Sequence, residues 1–333
     1  MKHANISIFI PHIGCPHRCS FCDQRTISGA QRIPHGEDIR EICEKAFAEI
    51  KSPENTEIAF FGGSFTAIPE AYMLELLEAA YPFVGNDKFK GIRISTRPDC
   101  IDRDVLTLLK KYGVTAIELG AQSMSDKVLE ANERGHSSAD VENAAILIRE
   151  YGFELGLQMM VGLYKSDMAD EFETLDKIAA IRPDTVRIYP VVILKCTRLG
   201  DLYQSGEYNT FSFEDVTEFV ADAMLRFADK GIKVIKCGLH ASEFVEKDMV
   251  GGFYHPAFRE ICESHIYRRK IAETVGCKDG NNLVVAVNPT CISKAMGHKK
   301  SNCEYFKEQG INIKIIGNVD IPKYEIKISE VRR

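Results

Sequence analysis

Short apolar runs alternate with amphipathic stretches along most of the chain. Runs at 6–10, 58–61, 92–95, 115–119, 154–161 and 185–189 have the length of strands. Between and after them, stretches at 38–50, 71–81, 102–112, 137–151, 167–181 and 213–230 carry apolar residues at helical spacing. Strand–helix alternation predicts a parallel sheet with crossover helices. Six such units are too few to close an eight-fold barrel. They predict an α/β fold, a partial (β/α)6 TIM-type barrel with one open side. The pattern then changes: 233–237 reads as a further strand, 255–275 as a charge-rich helix, and 283–287, 311–316 and 325–328 as strands. A barrel over 1–235 and a small C-terminal α+β appendage over 236–333 are the expected domains.

Composition narrows the setting. No apolar run approaches the roughly 18 residues of a membrane span. The N-terminus runs straight into a strand with no signal-like segment, which predicts a cytoplasmic protein with no membrane partner. Eleven cysteines in that reducing compartment predict thiols, with ligation where they cluster. The net charge of −6 is uneven. Residues 251–333 hold 14 Lys and Arg against 9 Asp and Glu, a hint of a polyanionic partner for the appendage.

The chemistry concentrates in Gly14-Cys15-Pro16-His17-Arg18-Cys19-Ser20-Phe21-Cys22, directly after the first strand. Thiolates of Cys15, Cys19 and Cys22, at C-x3-C-x2-C spacing, can reach three corners of a cubane cluster. The next cysteine, Cys43, falls in a predicted helix, so one iron is left without a protein ligand. The competing reading is a zinc site, with His12 or His17 as a fourth ligand, although zinc sites usually carry a second cysteine pair.

C-x3-C-x-aromatic-C after the first strand of such a chain resembles the radical S-adenosylmethionine (SAM) superfamily. The resemblance implies a [4Fe–4S] cluster on Cys15, Cys19 and Cys22, with SAM on the open iron, cleaved to a 5′-deoxyadenosyl radical. It also implies a reducing donor such as flavodoxin or ferredoxin. Later strand ends carry further matching segments. Gly62 and Gly63 match a turn that approaches the SAM amino group. Thr96 and Arg97, then Gln122 and Ser123, match contacts to the ribose and methionyl moieties. Arg134 matches an arginine on the SAM carboxylate, and Val161 with Gly162 an adenine-reading strand end. The plainer readings are helix caps for Thr96 and Ser123, an ion pair for Arg134 and an ordinary buried strand for Val161.

The segments 62–69, 96–99, 118–123, 134–136 and 187–208 further resemble the radical SAM domain of the Elongator catalytic subunit and short bacterial relatives without its acetyltransferase domain. That implies a tRNA or other RNA substrate. Tyr189, Lys195 and Cys196, at and after the sixth strand, are the candidate catalytic residues, with Cys196 where relatives have glycine. In the tail, Gly297-His298-Lys299-Lys300-Ser301-Asn302, Arg268-Arg269-Lys270, Tyr305 and Phe306 are candidate RNA contacts. Cys237, Cys262, Cys277, Cys291 and Cys303 show no pairing and read as scattered core cysteines. A radical enzyme acting on a small molecule or peptide, and a non-catalytic iron–sulfur or zinc protein, are the alternatives.

Overall fold

The computed structural model describes residues 4–10, 15, 19–23, 26–27, 32–239, 242–275 and 282–330. They divide into two compact units. The first comprises Met1–Thr210, Ile232–Ile235 and His240–Phe253, and the second Phe211–Gly231, Lys236–Leu239 and Tyr254–Arg333.

The first unit is built on a curled, open parallel sheet. Strands β1 (Ala4–Ile10), β2 (Thr56–Gly62), β3 (Gly91–Thr96), β4 (Val114–Gln122), β5 (Glu154–Val161) and β6 (Thr185–Pro190) lie side by side in chain order. After the short β7 (Val192–Leu194), β8 (Lys233–Cys237) becomes the seventh strand beside β6. This is the partial barrel that the alternation predicts. Helices α1 (Gly36–Glu49), α2 (Glu70–Ala80), α3 (Arg103–Lys111), α4 (Asp126–Ala131), α5 (Ser138–Glu150) and α6 (Met168–Ile181) make the crossovers. In α5 the buried positions are Val141, Ala144, Ala145 and Ile148, the stripe that a helix against a sheet requires. Reciprocal caps start it: Ser137 accepts from Asp140 N, and Asp140 accepts from Ser137 N at 2.7 Å. Asp167 and Asp170 start α6 in the same way, each bond 3.0 Å.

The two faces of the sheet differ. Ile8, Ile58, Phe60, Ile92, Ile94, Ile117, Leu155, Leu157, Val186 and Ile188 are buried and apolar. Alternate positions carry Glu57, Arg93, Glu118, Glu154, Gln158 and Arg187. Arg93 Nε donates to Glu57 Oε2 at 2.8 Å and its Nη2 to Glu154 Oε1 at 2.6 Å. Arg187 grips Glu118 through both oxygens, at 2.6 and 2.9 Å. Lys90 lies 3.6 Å from Glu57 and 3.5 Å from Glu154. Three carboxylates thus meet three cations, as burial of charge demands. Fully buried parallel strands usually read as apolar throughout, so this polar face is a departure from that rule.

Short pieces invisible in the pattern complete the unit. β7 pairs antiparallel with β9 (Met249–Gly252), and between them in the chain lie α7 (Arg198–Gln204), α8 (Phe213–Asp229) of the second unit, and α9 (Glu243–Asp248).

In the second unit α8 packs on α10 (Phe258–Val275). A three-stranded sheet has β10 (Asn282–Val287) in the centre, parallel to β11 (Asn312–Gly317) and antiparallel to β12 (Lys327–Glu330). The last strand begins two residues later than the sequence pattern suggests. Between β10 and β11 run α11 (Ile292–Met296) and α12 (Ser301–Glu308). Leu283, Val285, Val287 and Phe306 are buried. Buried Glu263 is matched by Lys294 at 2.6 Å, Lys323 at 3.1 Å and Arg259 at 3.5 Å.

Candidate active site

Strands β1 to β6 all run the same way, so their C-terminal ends gather on one rim. There a cavity of about 910 Å³ opens, walled by Cys15, Cys19, Phe21 and Cys22, by Gly62, Gly63 and Ser64 after β2, and by Ser95, Thr96 and Arg97 at β3. Gly120, Gln122, Glu133, Arg134, Gln158, Cys196 and Arg198 continue the wall.

The cysteine segment is held from three sides. Ser20 donates to Asn132 twice, from N to the carbonyl oxygen at 3.1 Å and from Oγ to Oδ1 at 2.8 Å. Leu199 N donates to Ser20 O at 2.8 Å. Phe21, the aromatic residue between Cys19 and Cys22, packs with Val128, Leu163, Val191, Ile193, Leu199 and Tyr208, and Cys19 and Cys22 lie against that cluster. Asn132 is fully buried and donates on to Val128 O and Tyr164 O, so it fixes the segment to α4 and to the loop after β5.

Next to the thiols, Gly63 N donates to Ile10 O at 2.7 Å. Gly62 has a φ of 110°, and a Cβ there would stand 2.9 Å from Ile10 O. Only glycine fits. Thr96 Oγ1 bonds Ser64 Oγ at 2.9 Å and Thr66 Oγ1 at 2.6 Å, tying the ends of β2 and β3. Arg97 is committed: its guanidinium grips both oxygens of Asp99 at 2.9 Å and donates to Arg134 O at 2.5 Å.

Arg134 donates from Nη1 to Cys19 Sγ at 3.0 Å and from Nη2 to Gly120 O at 2.6 Å, which leaves Nε buried without a partner among the described residues. Gln122, left-handed at φ 65°, has a buried Oε1 that likewise has no partner among the described residues. Gln158 spends its amide hydrogens on Ser95 Oγ at 3.1 Å and Glu118 Oε2 at 3.0 Å. Behind them, burial, with Arg134 and Arg97 beside it, holds His136 down at about 4, so it stays neutral.

Other sequence candidates sit apart from the wall. Ser123 is buried, bonded to Thr174 Oγ1 at 3.1 Å and Ser125 N at 3.1 Å. Val161 and Gly162 are likewise internal. Gly162 N donates to Glu171 Oε1 at 2.8 Å, and Tyr208 Oη donates to Gly162 O. Burial pushes Glu171 up to about 7. Tyr189 lies beside the Arg187 guanidinium, and exposed Lys195 pairs with Asp248 at 3.0 Å. Cys196 is brought to the cavity, exposed and left-handed at φ 66°.

Among the described residues no three His, Cys, Asp or Glu side chains converge as they would on a single ion. His12 and His17, the candidate fourth zinc ligands, lie outside the described residues, as does Cys277. Three thiols on one cavity wall suit a cluster in which each cysteine takes its own iron. The unpartnered Arg134 Nε and Gln122 Oε1 suit a ligand carrying both acceptors and donors, such as an amino acid linked to a nucleoside.

The profile of the radical SAM superfamily matches residues 9–178, and that of the radical SAM C-terminal domain matches 183–268. The chain belongs to the radical SAM superfamily. This is a family of enzymes whose cofactors are a [4Fe–4S] cluster and SAM. An uncharacterized protein of Methanocaldococcus jannaschii is 30% identical over 223 residues, 63% of this chain and 68% of that one. Human Elongator complex protein 3 is 31% identical over 193 residues, 51% of this chain and 35% of the human protein. The tRNA uridine(34) acetyltransferase of M. jannaschii is 31% identical over 133 residues, 39% of this chain and 25% of that enzyme. The chain thus spans about a third or less of these two named relatives. Among solved structures, Methanocaldococcus infernus Elp3 with an N-terminal deletion superposes with a TM-score of 0.55 at 20% identity, over 73% of this chain and 61% of that one. That likeness concerns the fold. No helix among the described residues is long and apolar enough to cross a membrane.

Proposed function

We propose that this radical SAM enzyme modifies RNA, tRNA first among substrates, in the cytoplasm. Cys15, Cys19 and Cys22 would hold the [4Fe–4S] cluster. Bound together, cluster and SAM supply a 5′-deoxyadenosyl radical once a donor such as flavodoxin or ferredoxin delivers an electron.

The chain's own residues bind, orient and exclude solvent. Arg134 offers its free Nε to the SAM carboxylate, and its Nη1 on Cys19 couples that contact to a cluster ligand. Gly62 and Gly63 let backbone come close to the methionyl amino group. Gln122 contributes an acceptor with no rival partner. Thr96 and Arg97 keep the neighbouring loops in place, the latter through Asp99. Ser123, Val161 and Gly162 shape the floor from behind, with Gly162 fixed at both backbone groups by Glu171 and Tyr208. Cys196 faces the cavity on the substrate side. Tyr189 acts through Arg187, and Lys195 through Asp248. Residues 236–333 supply the RNA-contacting part.

The observation that carries the chemistry is the cavity, where three thiols meet an unpartnered guanidinium nitrogen and an unpartnered amide oxygen. Likeness to a tRNA uridine(34) acetyltransferase supports the RNA part. Mass spectrometry of tRNA nucleosides from a strain lacking the protein tests it. One modified nucleoside should disappear and return with the wild-type chain but not with Cys19→Ala. An unchanged nucleoside profile would overturn the RNA assignment.

A further inference from the structure

Outside the cavity, one assembly in the second unit has an arrangement that neither the cluster nor SAM uses. Parallel strands β10 and β11 are joined by two short helices, and the helices meet at Gly297-His298-Lys299-Lys300. Every part of that turn is specified. Gly297 stands at φ 89°, and a Cβ would come within 2.5 Å of Asn302 N. Asn302 is buried and donates to Ala295 O at 3.1 Å and to Ser264 O at 2.9 Å. His298 N donates to Ser264 Oγ at 3.2 Å, so the turn is fastened to α10. Lys299 and Lys300 are both left-handed, at φ 52° and 65°, and both are exposed. No carboxylate among the described residues forms an ion pair with either of them.

A left-handed backbone is uncommon for lysine. Two in succession, on a turn held by buried hydrogen bonds, fix two ammonium groups on one protruding loop. Charge agrees: residues 282–317 hold five Lys and two Glu. One helical turn along α12, Tyr305 is exposed and carries the Arg268 guanidinium 5.2 Å above its ring. A flat aromatic–guanidinium surface beside paired cations suits stacked bases on a phosphate chain. A strand–helix–turn–helix–strand unit with such a loop is also how KH modules clamp the backbone of single-stranded nucleic acid, through a Gly-x-x-Gly loop. Here Lys300 occupies the fourth loop position and adopts the left-handed conformation that glycine would favour there.

We propose that residues 282–317, with Arg268 of α10, bind single-stranded RNA, with the 297–300 turn gripping the sugar–phosphate backbone and Tyr305 with Arg268 stacking a base. This rests on the RNA reading above and names the surface that recruits the substrate.

The test uses the full, cluster-loaded chain and fluorescence polarisation with a labelled single-stranded RNA of about 12 nucleotides. DNA of the same sequence is the second probe. The double variant Lys299→Glu/Lys300→Glu should weaken RNA binding about 10-fold near 0.1 M salt and reduce the salt slope by about 1.4, two phosphate contacts at roughly 0.7 each. Lys300→Gly keeps the turn and should lower the slope by about 0.7. An unchanged urea midpoint shows that the variants are folded. Unaltered affinity and slope in the folded double variant would overturn the assignment, as would DNA bound as tightly as RNA. The readouts separate the two claims. Turn-dependent RNA binding with an unchanged cellular nucleoside profile keeps this surface and removes the modification reading. A lost nucleoside with turn-independent binding does the reverse.

Discussion

At the residue scale, single buried groups decide the geometry of the cysteine segment. Asn132→Ala removes the acceptor of the Ser20 hydroxyl and the side-chain donations to Val128 O and Tyr164 O, and leaves only the main-chain bond from Ser20 N. We expect a loss of about 1–3 kcal/mol in urea unfolding, and weaker retention of the cluster's absorbance. His136 gives a pH signature. Its folded value of about 4 lies below its ordinary 6.5, through burial first and the neighbouring cations second. Between those values the unfolded chain binds a proton that the folded chain refuses. The His136 contribution is therefore complete above pH 6.5 and is lost as the pH falls towards 4. Compared with His136→Gln, the wild type should lose about 3 kcal/mol across that window. Glu171, raised from 4.5 to about 7, works in the opposite sense. Its contribution is present below pH 4.5 and lost as pH rises through 7, so Glu171→Gln should gain on the wild type over that range in the same unfolding series.

At the scale of elements, the sheet's polar face is where one change propagates furthest. Glu118 accepts from Arg187, Gln158 and Arg93, and so couples β3, β4, β5 and β6. Glu118→Gln leaves Arg187 buried without its carboxylate, and a loss of about 3–5 kcal/mol is expected in urea unfolding. Gly156 belongs to the same layer, since a Cβ there would stand 2.8 Å from Glu118 Cγ. These elements were unevenly legible in the sequence. The strands and long helices follow from apolar period and capping residues such as Ser137 and Asp167. The polar face does not, because Glu57, Arg93 and Glu118 sit in runs whose apolar neighbours already mark a strand. The β7–β9 pairing escapes notice too, being three or four residues long and joined by a long loop. The cavity shows a similar split. The thiols, Gly62, Gly63, Gln122 and Arg134 were legible as motifs at strand ends. Asn132 was not, as its partner Ser20 is 112 positions away. The placement of Ser123, Val161, Gly162, Tyr189 and Lys195 away from the cavity wall depends on side-chain direction, which spacing does not report.

At the scale of the whole molecule, the radical chemistry belongs to one unit and the proposed RNA capture to the other. The first gathers six parallel strand ends so that cysteines from one loop and polar groups from several others share a cavity. The second offers a rigid basic turn beside an exposed ring. The radical chemistry depends on SAM cleavage at the cavity by a cluster that Cys15, Cys19 and Cys22 would hold. The most direct measurement is the yield of 5′-deoxyadenosine from anaerobically reconstituted, dithionite-reduced protein given SAM. The wild type should produce it and Cys19→Ala should not. No 5′-deoxyadenosine from wild-type protein with its thiols intact, or an equal yield from the variant, would rule out SAM cleavage by a cluster on these cysteines.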